Sequence, residues 1–157
     1  MREATNCTSS TLVTGREEPI DPRDPLGALS EFYRAFNTRD LVLMERNWIS
    51  SDEASMAHPI GGIRYGWGEI RQVYERIFRA AATVNIEFHD FTVHHFGDTF
   101  CAVGREQGVL QGNKESLKLK FRTSRLFRFI DGRWRQVHHH GSIEDPVLMA
   151  WYKAAIR

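Results

Sequence analysis

A series of strand-like runs fills residues 84–143 and leaves few architectures open to the chain. Within it, residues 115–130 alternate apolar and polar side chains, and the dipeptide Asp131-Gly132 separates this run from the next. An Asp-Gly pair between two alternating runs is typical of a two-residue hairpin turn. We therefore predict four consecutive antiparallel strands, near residues 84–96, 99–111, 115–130 and 133–143.

The chain before these strands carries helical patterns. Asp24 suits the N-cap of a helix and Pro25 its first position, and apolar residues at helical spacing follow as far as Phe36. Shorter elements are predicted at residues 41–48 (helix), 53–59 (strand), 66–78 (helix) and 145–157 (helix). Helices followed by a strand meander indicate an α+β fold, in which helices pack on one face of a curved antiparallel sheet.

Length and composition favour a single globular domain. The chain has 157 residues, with 21 Lys and Arg against 20 Asp and Glu, so neither nucleic acid nor an anionic membrane is an expected partner. Residues 1–24 are rich in Thr, Ser, Pro and charge and predict a flexible arm, which leaves residues 25–157 as the domain. No secretion signal and no apolar run of about 18 residues occurs, so we expect a cytoplasmic protein.

The predicted hairpin assigns a face to each of its side chains. Counting outward from the turn pairs Phe127 with Gln136, Arg125 with His138 and Thr123 with His140. Because side chains alternate along a strand, Arg125, His138 and His140 are predicted to point to the buried face, and His139 to the other.

An arginine on a buried face needs an anion or good acceptors. Two interpretations stay open: a ligand, or an internal partner such as Glu106, Glu53 or Asp52. Strand parity puts Glu106 on the polar face unless a bulge shifts it. A neighbouring cation favours a neutral His138, which can accept or donate a proton. His138 and His140 could ligate one metal ion, with His58 as a third ligand. The positive charge of Arg125 opposes a dication, so we expect no metal at this site.

Several segments resemble one known superfamily. They are "TSRLFRFIDGRWRQVHHHGS" (residues 123–142), "GDTFCAVG" (97–104) and "HPIGGIRYGWGEI" (58–70). Over residues 26–143 the chain resembles the nuclear transport factor 2-like superfamily, in particular its SnoaL-like branch, which includes the association domain of calcium/calmodulin-dependent protein kinase II. This resemblance implies a cone-shaped, cystatin-like α+β barrel with a deep pocket, and assembly into homodimers or higher oligomers.

The resemblance also implies site residues. In the kinase association domain one pocket arginine matches Arg125, and another falls near position 107, where this chain has Gln107. Arg105 has the same strand parity as Gln107 and is the candidate substitute for that arginine. Enzymes of the superfamily, such as ketosteroid isomerase, polyketide cyclases and scytalone dehydratase, use a pocket aspartate or histidine, often with a tyrosine. Tyr33 is the candidate tyrosine here, with an ordinary core position as its other interpretation.

Together these observations predict a small-molecule pocket at the wide end of the cone. Arg125 would anchor an anionic or carbonyl oxygen, and His138 or His140 would carry out acid–base chemistry. The supporting wall is predicted to contain His58, Arg105, Gln107, Trp48, Tyr33 and Trp67. The expected function is a cofactor-free isomerase, cyclase or dehydratase acting on a small organic substrate. The alternative is a non-catalytic module for ligand binding or homo-oligomerisation.

Overall fold

The computed structural model describes residues 7–8 and 12–156. The helices are α1 (Pro25–Asn37), α2 (Leu41–Asn47), α3 (Gly66–Arg79) and α4 (Pro146–Ala155). The strands are β1 (Cys7–Thr8), β2 (Ser55–Ala57), β3 (Ile63–Tyr65), β4 (Thr83–Phe96), β5 (Thr99–Gln111), β6 (Ser116–Ile130) and β7 (Arg133–Ser142). The four predicted long strands and the four predicted helices are confirmed, with small differences at their ends.

Local sequence explains how the helical half begins. The Asp24 side chain accepts the backbone N–H of Leu26 (3.1 Å), and Pro25 occupies the first position of α1. At the end of α1, Arg39 has a φ of 57°, which turns the chain sharply. Asp40 then caps α2 by accepting the N–H of Leu43 (2.9 Å). The two helices are thereby joined by a very short connection.

The seven strands form one sheet in the order β1-β4-β5-β6-β7-β2-β3. Strands β4 to β7 form the predicted antiparallel meander, whereas β2 joins β7 in parallel and pairs with β3 antiparallel. The predicted antiparallel sheet over residues 84–143 is confirmed, and the parallel β2–β7 pair is an addition that the sequence did not predict. Irregularities interrupt the β4–β5 pairing near Asp90 and the β6–β7 pairing near Val137, and such bulges bend and twist a sheet.

The core lies between the helices and the concave face of the sheet. Aromatic rings dominate it: Tyr33 stacks on Phe88 (ring centroids 5.6 Å apart) and Phe100 on Phe127 (4.7 Å). Gly108 lets β4 and β5 approach closely, because a Cβ there would lie 1.9 Å from the Asn85 carbonyl oxygen. The fold is thus the α+β architecture predicted, with the helices on the inner face of the curved sheet.

The segment that precedes α1 runs along the body of the protein. Val13 exchanges backbone hydrogen bonds with Phe88 (3.0 and 2.8 Å), and the Arg34 side chain donates to the carbonyl oxygens of Gly15 and Glu17 (both 2.7 Å). Of the predicted flexible arm, residues 1–6 and 9–11 lie outside the described residues. The division of the chain at residue 24 stays a prediction.

Candidate functional site

Arg125 is the centre of a buried polar network. Its side chain is 1% exposed, and its guanidinium lies 3.5 Å from the centroid of the Phe32 ring. Nη2 donates to Glu106 Oε1 (2.6 Å), Nη1 to Gln136 Oε1 (2.7 Å) and Nε to the Tyr33 hydroxyl (3.3 Å). Of the two interpretations left open for Arg125, the internal partner is confirmed, and this partner is Glu106.

Glu106 lies on the inner face of β5, where its carboxylate also accepts the Tyr33 hydroxyl (2.8 Å). The predicted outward orientation of Glu106 is therefore wrong. Alternation places Arg105 and Gln107 on the opposite face, so the expectation that they line the same pocket as Arg125 is wrong too. Two of the inner positions of β5 are Gly104 and Gly108. Glycine has no side chain, so these positions do not show an apolar face in the sequence.

A β-bulge shifts the hairpin that carries the histidines. Phe127 pairs with Gln136 as predicted, but Val137 is an extra residue in β7, so that Arg125 pairs with His139 rather than His138. A bulge sets two residues against one and reverses the side-chain parity beyond it. His139 is consequently buried on the core face, while His140 is exposed; the prediction that His138 and His140 accompany Arg125 is wrong.

His139 is a buried imidazole that has no hydrogen-bond partner in the described part of the chain. Its side chain is only 6% exposed, and neither ring nitrogen has a hydrogen-bond partner among residues 12–156. Burial, together with the positive charge of Arg125, holds the pKa of His139 well below its usual range. The ring is therefore neutral at physiological pH, with one nitrogen able to donate and the other to accept.

His138 takes a different role at the edge of β7. Its Nδ1 lies 2.7 Å from the Ser55 hydroxyl, which belongs to the neighbouring strand β2. Burial, and then the nearby His140, lower the pKa of His138, and the Ser55 hydrogen bond acts in the opposite direction. His138 thus stabilises the junction of β2 with the meander.

A small inner cavity of about 30 Å³ lies between the Arg125–Glu106 pair, His139 and α4. Its wall also contains Phe32, Met56, His58, Tyr74, Phe121 and Tyr152. Tyr152 comes from α4, is 3% exposed, and packs edge-on against Phe121 (ring centroids 5.2 Å apart). The remaining space holds about one water molecule, so Tyr152 fills much of the room that the fold provides.

A second cavity of about 220 Å³, called the vestibule here, also has His58 in its wall. Its lining residues include His58, Arg64, Val73, Arg76, Ile77 and Lys153. Burial, followed by the charges of Arg64 and Arg76, lowers the pKa of His58 to about 4. His58 Nδ1 accepts the backbone N–H of Ile60 (3.3 Å), so the neutral ring carries its proton on Nε2.

The two predicted tryptophans belong to the core around these cavities. Trp48 is fully buried and Trp67 is 8% exposed, with ring centroids 6.4 Å apart. Trp67 Nε1 donates to Glu45 (3.2 Å). Of the predicted site residues, the structure thus brings His58 and Arg125 to a cavity wall and places Tyr33 behind it. Sequence reasoning missed His139, Arg64, Arg76, Lys153 and Tyr152.

The part of the chain that the structure describes contains no group of three or more His, Cys, Asp or Glu side chains arranged to hold a metal ion. It also contains no helix long and apolar enough to cross a bilayer.

Comparison with known structures supports the fold. The chain superposes with a TM-score of 0.68 on a protein from Thiobacillus denitrificans proposed to be a calcium/calmodulin-dependent protein kinase type II association domain (23% identity, 82% of this chain and 100% of that one). A protein from Streptomyces avermitilis, proposed to be a dehydratase of the nuclear transport factor 2-like family, gives a TM-score of 0.68 (22% identity, 73% and 89%). Both identities are low, so these similarities describe the fold.

Comparison of sequences identifies the family. The chain is 25% identical over 114 residues to the F-box protein SKIP8 of Arabidopsis thaliana, a match that covers 73% of this chain and 47% of SKIP8. The chain thus matches about half the length of that curated relative. The SnoaL-like domain family matches residues 26–146, which include α1, α3 and the whole β4–β7 meander. The chain therefore belongs to the SnoaL-like domain family.

Proposed function

We propose that this SnoaL-like domain binds a small organic molecule in the inner cavity, with His139 as the side chain that hydrogen-bonds to it. One observation carries this proposal: His139 is buried at the cavity wall with both ring nitrogens unpartnered among the described residues. Buried polar groups in native proteins almost always have partners, so an unpartnered one at a cavity wall is available to a ligand or a water. A carbonyl or hydroxyl group on the ligand matches a neutral imidazole.

Arg125 supports this site rather than anchoring the ligand by itself. Three of its N–H groups already donate to Glu106, Gln136 and Tyr33. Burial, and then the fixed positive charge of Arg125, keep the His139 imidazole neutral, and a neutral imidazole can accept a proton from a bound substrate. Cofactor-free acid–base chemistry of the isomerase, cyclase or dehydratase type is the catalytic form of the proposal, with His139 in the role first expected for His138 or His140.

Tyr152 must move before anything larger than water occupies the inner cavity. Helix α4 is attached mainly through the buried side chains of Tyr152 and Ile156, while Val147 and Trp151 are exposed. Burying one large side chain contributes about 1.5–3 kcal/mol. A ligand that buries a similar apolar area offsets the free energy lost when Tyr152 leaves its place, so binding requires Tyr152 to move out of the closed arrangement.

A thermal-melting screen with small carbonyl compounds and enones tests the proposal. Binding at about a hundredfold excess over Kd stabilises the native state by about 2.7 kcal/mol, which raises the melting midpoint. We expect a ligand that stabilises the wild type and the exposed control His140→Gln, and that loses its effect in His139→Gln. A ligand that stabilises all three proteins equally would place binding elsewhere and refute the proposal.

A second candidate is self-association through the outer face of the sheet. Val103 is 43% exposed there, beside a shallow depression of about 480 Å³ lined by Thr92, His94, Arg105, Arg122 and His140. Sedimentation equilibrium tests it: we expect a dimer that Val103→Glu dissociates and that Val147→Glu, on the exposed face of α4, leaves intact. A monomeric wild type would contradict it. We also propose that the protein acts in the cytoplasm.

A further inference from the structure

The vestibule gathers positive charge from three separate elements. Arg64 comes from β3, Arg76 from α3 and Lys153 from α4, and none of the described residues that line the space is acidic. Within residues 12–156, none of these three side chains takes part in an ion pair. Some other arginines are paired: Arg71, on the same helix as Arg76, has its Nε 3.0 Å from Glu75 Oε1.

The walls of the vestibule strengthen the field of these charges. Val73, Ile77 and Ile156 form apolar surface beside them. A cleft lined by charges of one sign and by low-dielectric walls concentrates the electrostatic potential and attracts counter-ions. The three cationic residues are solvent-exposed, and with no acidic side chain among the described residues beside them in the vestibule they repel each other. An anion in the vestibule would remove that repulsion.

His58 adds a hydrogen-bond donor at the boundary of the two cavities. Its Nδ1 is occupied by the N–H of Ile60, which leaves Nε2–H as the donor of the neutral ring. Because His58 belongs to the walls of both the vestibule and the inner cavity, one elongated molecule can contact both.

We propose that the vestibule binds the acidic head group, a carboxylate or a phosphate, of a small organic anion, with Arg64, Arg76 and Lys153 as its cationic partners. Arginine suits either head group, because its planar guanidinium can donate two parallel hydrogen bonds to two oxygens of one anion. The inference rests on the proposed function, since it names the chemical class of the molecule whose uncharged part would reach His139.

Titration of the ¹⁵N-labelled full chain, followed by NMR at constant ionic strength, tests the inference. The probes are benzoate, phenyl phosphate and the uncharged benzamide. We expect saturable shifts of the Arg64, Arg76 and Lys153 amides with at least one of the two anions, and binding of benzamide about tenfold weaker or less. The tighter of the two anions identifies the head group.

Matched variants separate specific binding from general charge. Arg64→Gln with Arg76→Gln should weaken anion binding about tenfold or more. Arg79→Gln, an exposed charge on α3 outside the vestibule, should leave binding within about twofold. Lys153→Gln provides an independent second variant on α4. Equal affinity in the double variant and the wild type, equal affinity for benzamide and benzoate, or no saturable shift with either anion overturns the inference.

The same titrations distinguish this inference from the proposed function. Anion binding that shifts the vestibule amides while leaving the His139 ring unchanged supports the vestibule and counts against the inner cavity. A ligand that shifts the His139 ring with equal affinity in the wild type and in the double variant supports the inner cavity and overturns the vestibule.

Discussion

Arg125 and His139 lie directly opposite each other on β6 and β7, and both side chains point into the core. One carries a fixed charge that Glu106 neutralises; the other is neutral and unpartnered among the described residues. The two side chains therefore have different roles in the site, one structural and one in hydrogen bonding to a ligand. The Arg125–Glu106 pair links β6 to β5 and, through the Tyr33 hydroxyl, to α1, and His139 keeps its hydrogen-bonding capacity for another molecule.

The buried ion pair should contribute strongly to stability. Glu106→Gln removes the charge that neutralises Arg125 and should lower the free energy of unfolding by about 3–5 kcal/mol. The matched control is Glu53→Gln, which removes the exposed partner of Arg128 (2.6 Å) and should cost less than about 1 kcal/mol. Urea denaturation measures both. Similar losses in the two variants would contradict the structural role of Glu106.

Stability should fall as the solution is acidified below the ordinary histidine pKa of 6.5. His139 and His58 have lowered pKa values in the folded state, so the unfolded chain takes up protons that the native state does not bind. Their contribution is complete above pH 6.5 and is lost as pH falls toward the folded-state pKa, which for His58 is about 4. The charges that lower the pKa of His139, after burial, are those of Arg125, His58, His138 and His140. Glu106, Tyr74 and Tyr152 line the same cavity as His139.

Each such histidine contributes a slope of up to about 1.4 kcal/mol per pH unit. His139→Gln should therefore reduce the pH dependence of the unfolding free energy between pH 6.5 and 5, whereas His140→Gln serves as the exposed control. Denaturant titrations across this range measure the slope. An unchanged slope in His139→Gln would mean that His139 takes up protons equally in the folded and unfolded states.

Removing Tyr152 should open the inner cavity. Tyr152→Ala leaves an apolar void beneath α4 and should destabilise the protein by about 3–5 kcal/mol, as large-to-small changes of buried aromatic residues do. Phenol has the shape of the missing side chain and should raise the melting midpoint of this variant. The wild type and the exposed control Trp151→Ala should not respond. A variant indifferent to phenol would contradict the place of Tyr152 in the cavity.

Local signals in the sequence predicted most of the fold. Alternation and the Asp131-Gly132 turn give the meander, and Asp24 with Pro25 gives the start of α1, because each depends on neighbouring residues alone. The resemblance to the SnoaL-like family supplied the architecture. The short strands β1 and β3 were missed, since each has three residues or fewer and depends on its partner strand.

The candidate site was harder to predict, because it depends on which face of its strand each side chain occupies. The bulge at Val137 moves His139 inward, and one sequence signal for it exists: Trp134 and Ile143 are both core residues but have opposite parity within the predicted strand 133–143. In β5, the glycines at 104 and 108 conceal which face is buried. The vestibule has no comparable signal, since Arg64, Arg76 and Lys153 meet only through tertiary packing.

The most direct test of the site is an NMR measurement of the imidazole nitrogens of His138, His139 and His140, with and without a bound small molecule. The account predicts that the His139 ring stays neutral as the pH is lowered through the ordinary histidine pKa of 6.5. It also predicts that its nitrogen shifts change on binding and that the exposed His140 ring does not respond. If His139 instead titrates near 6.5 as a free imidazole does, or if only His140 responds to the ligand, the site is not the one described.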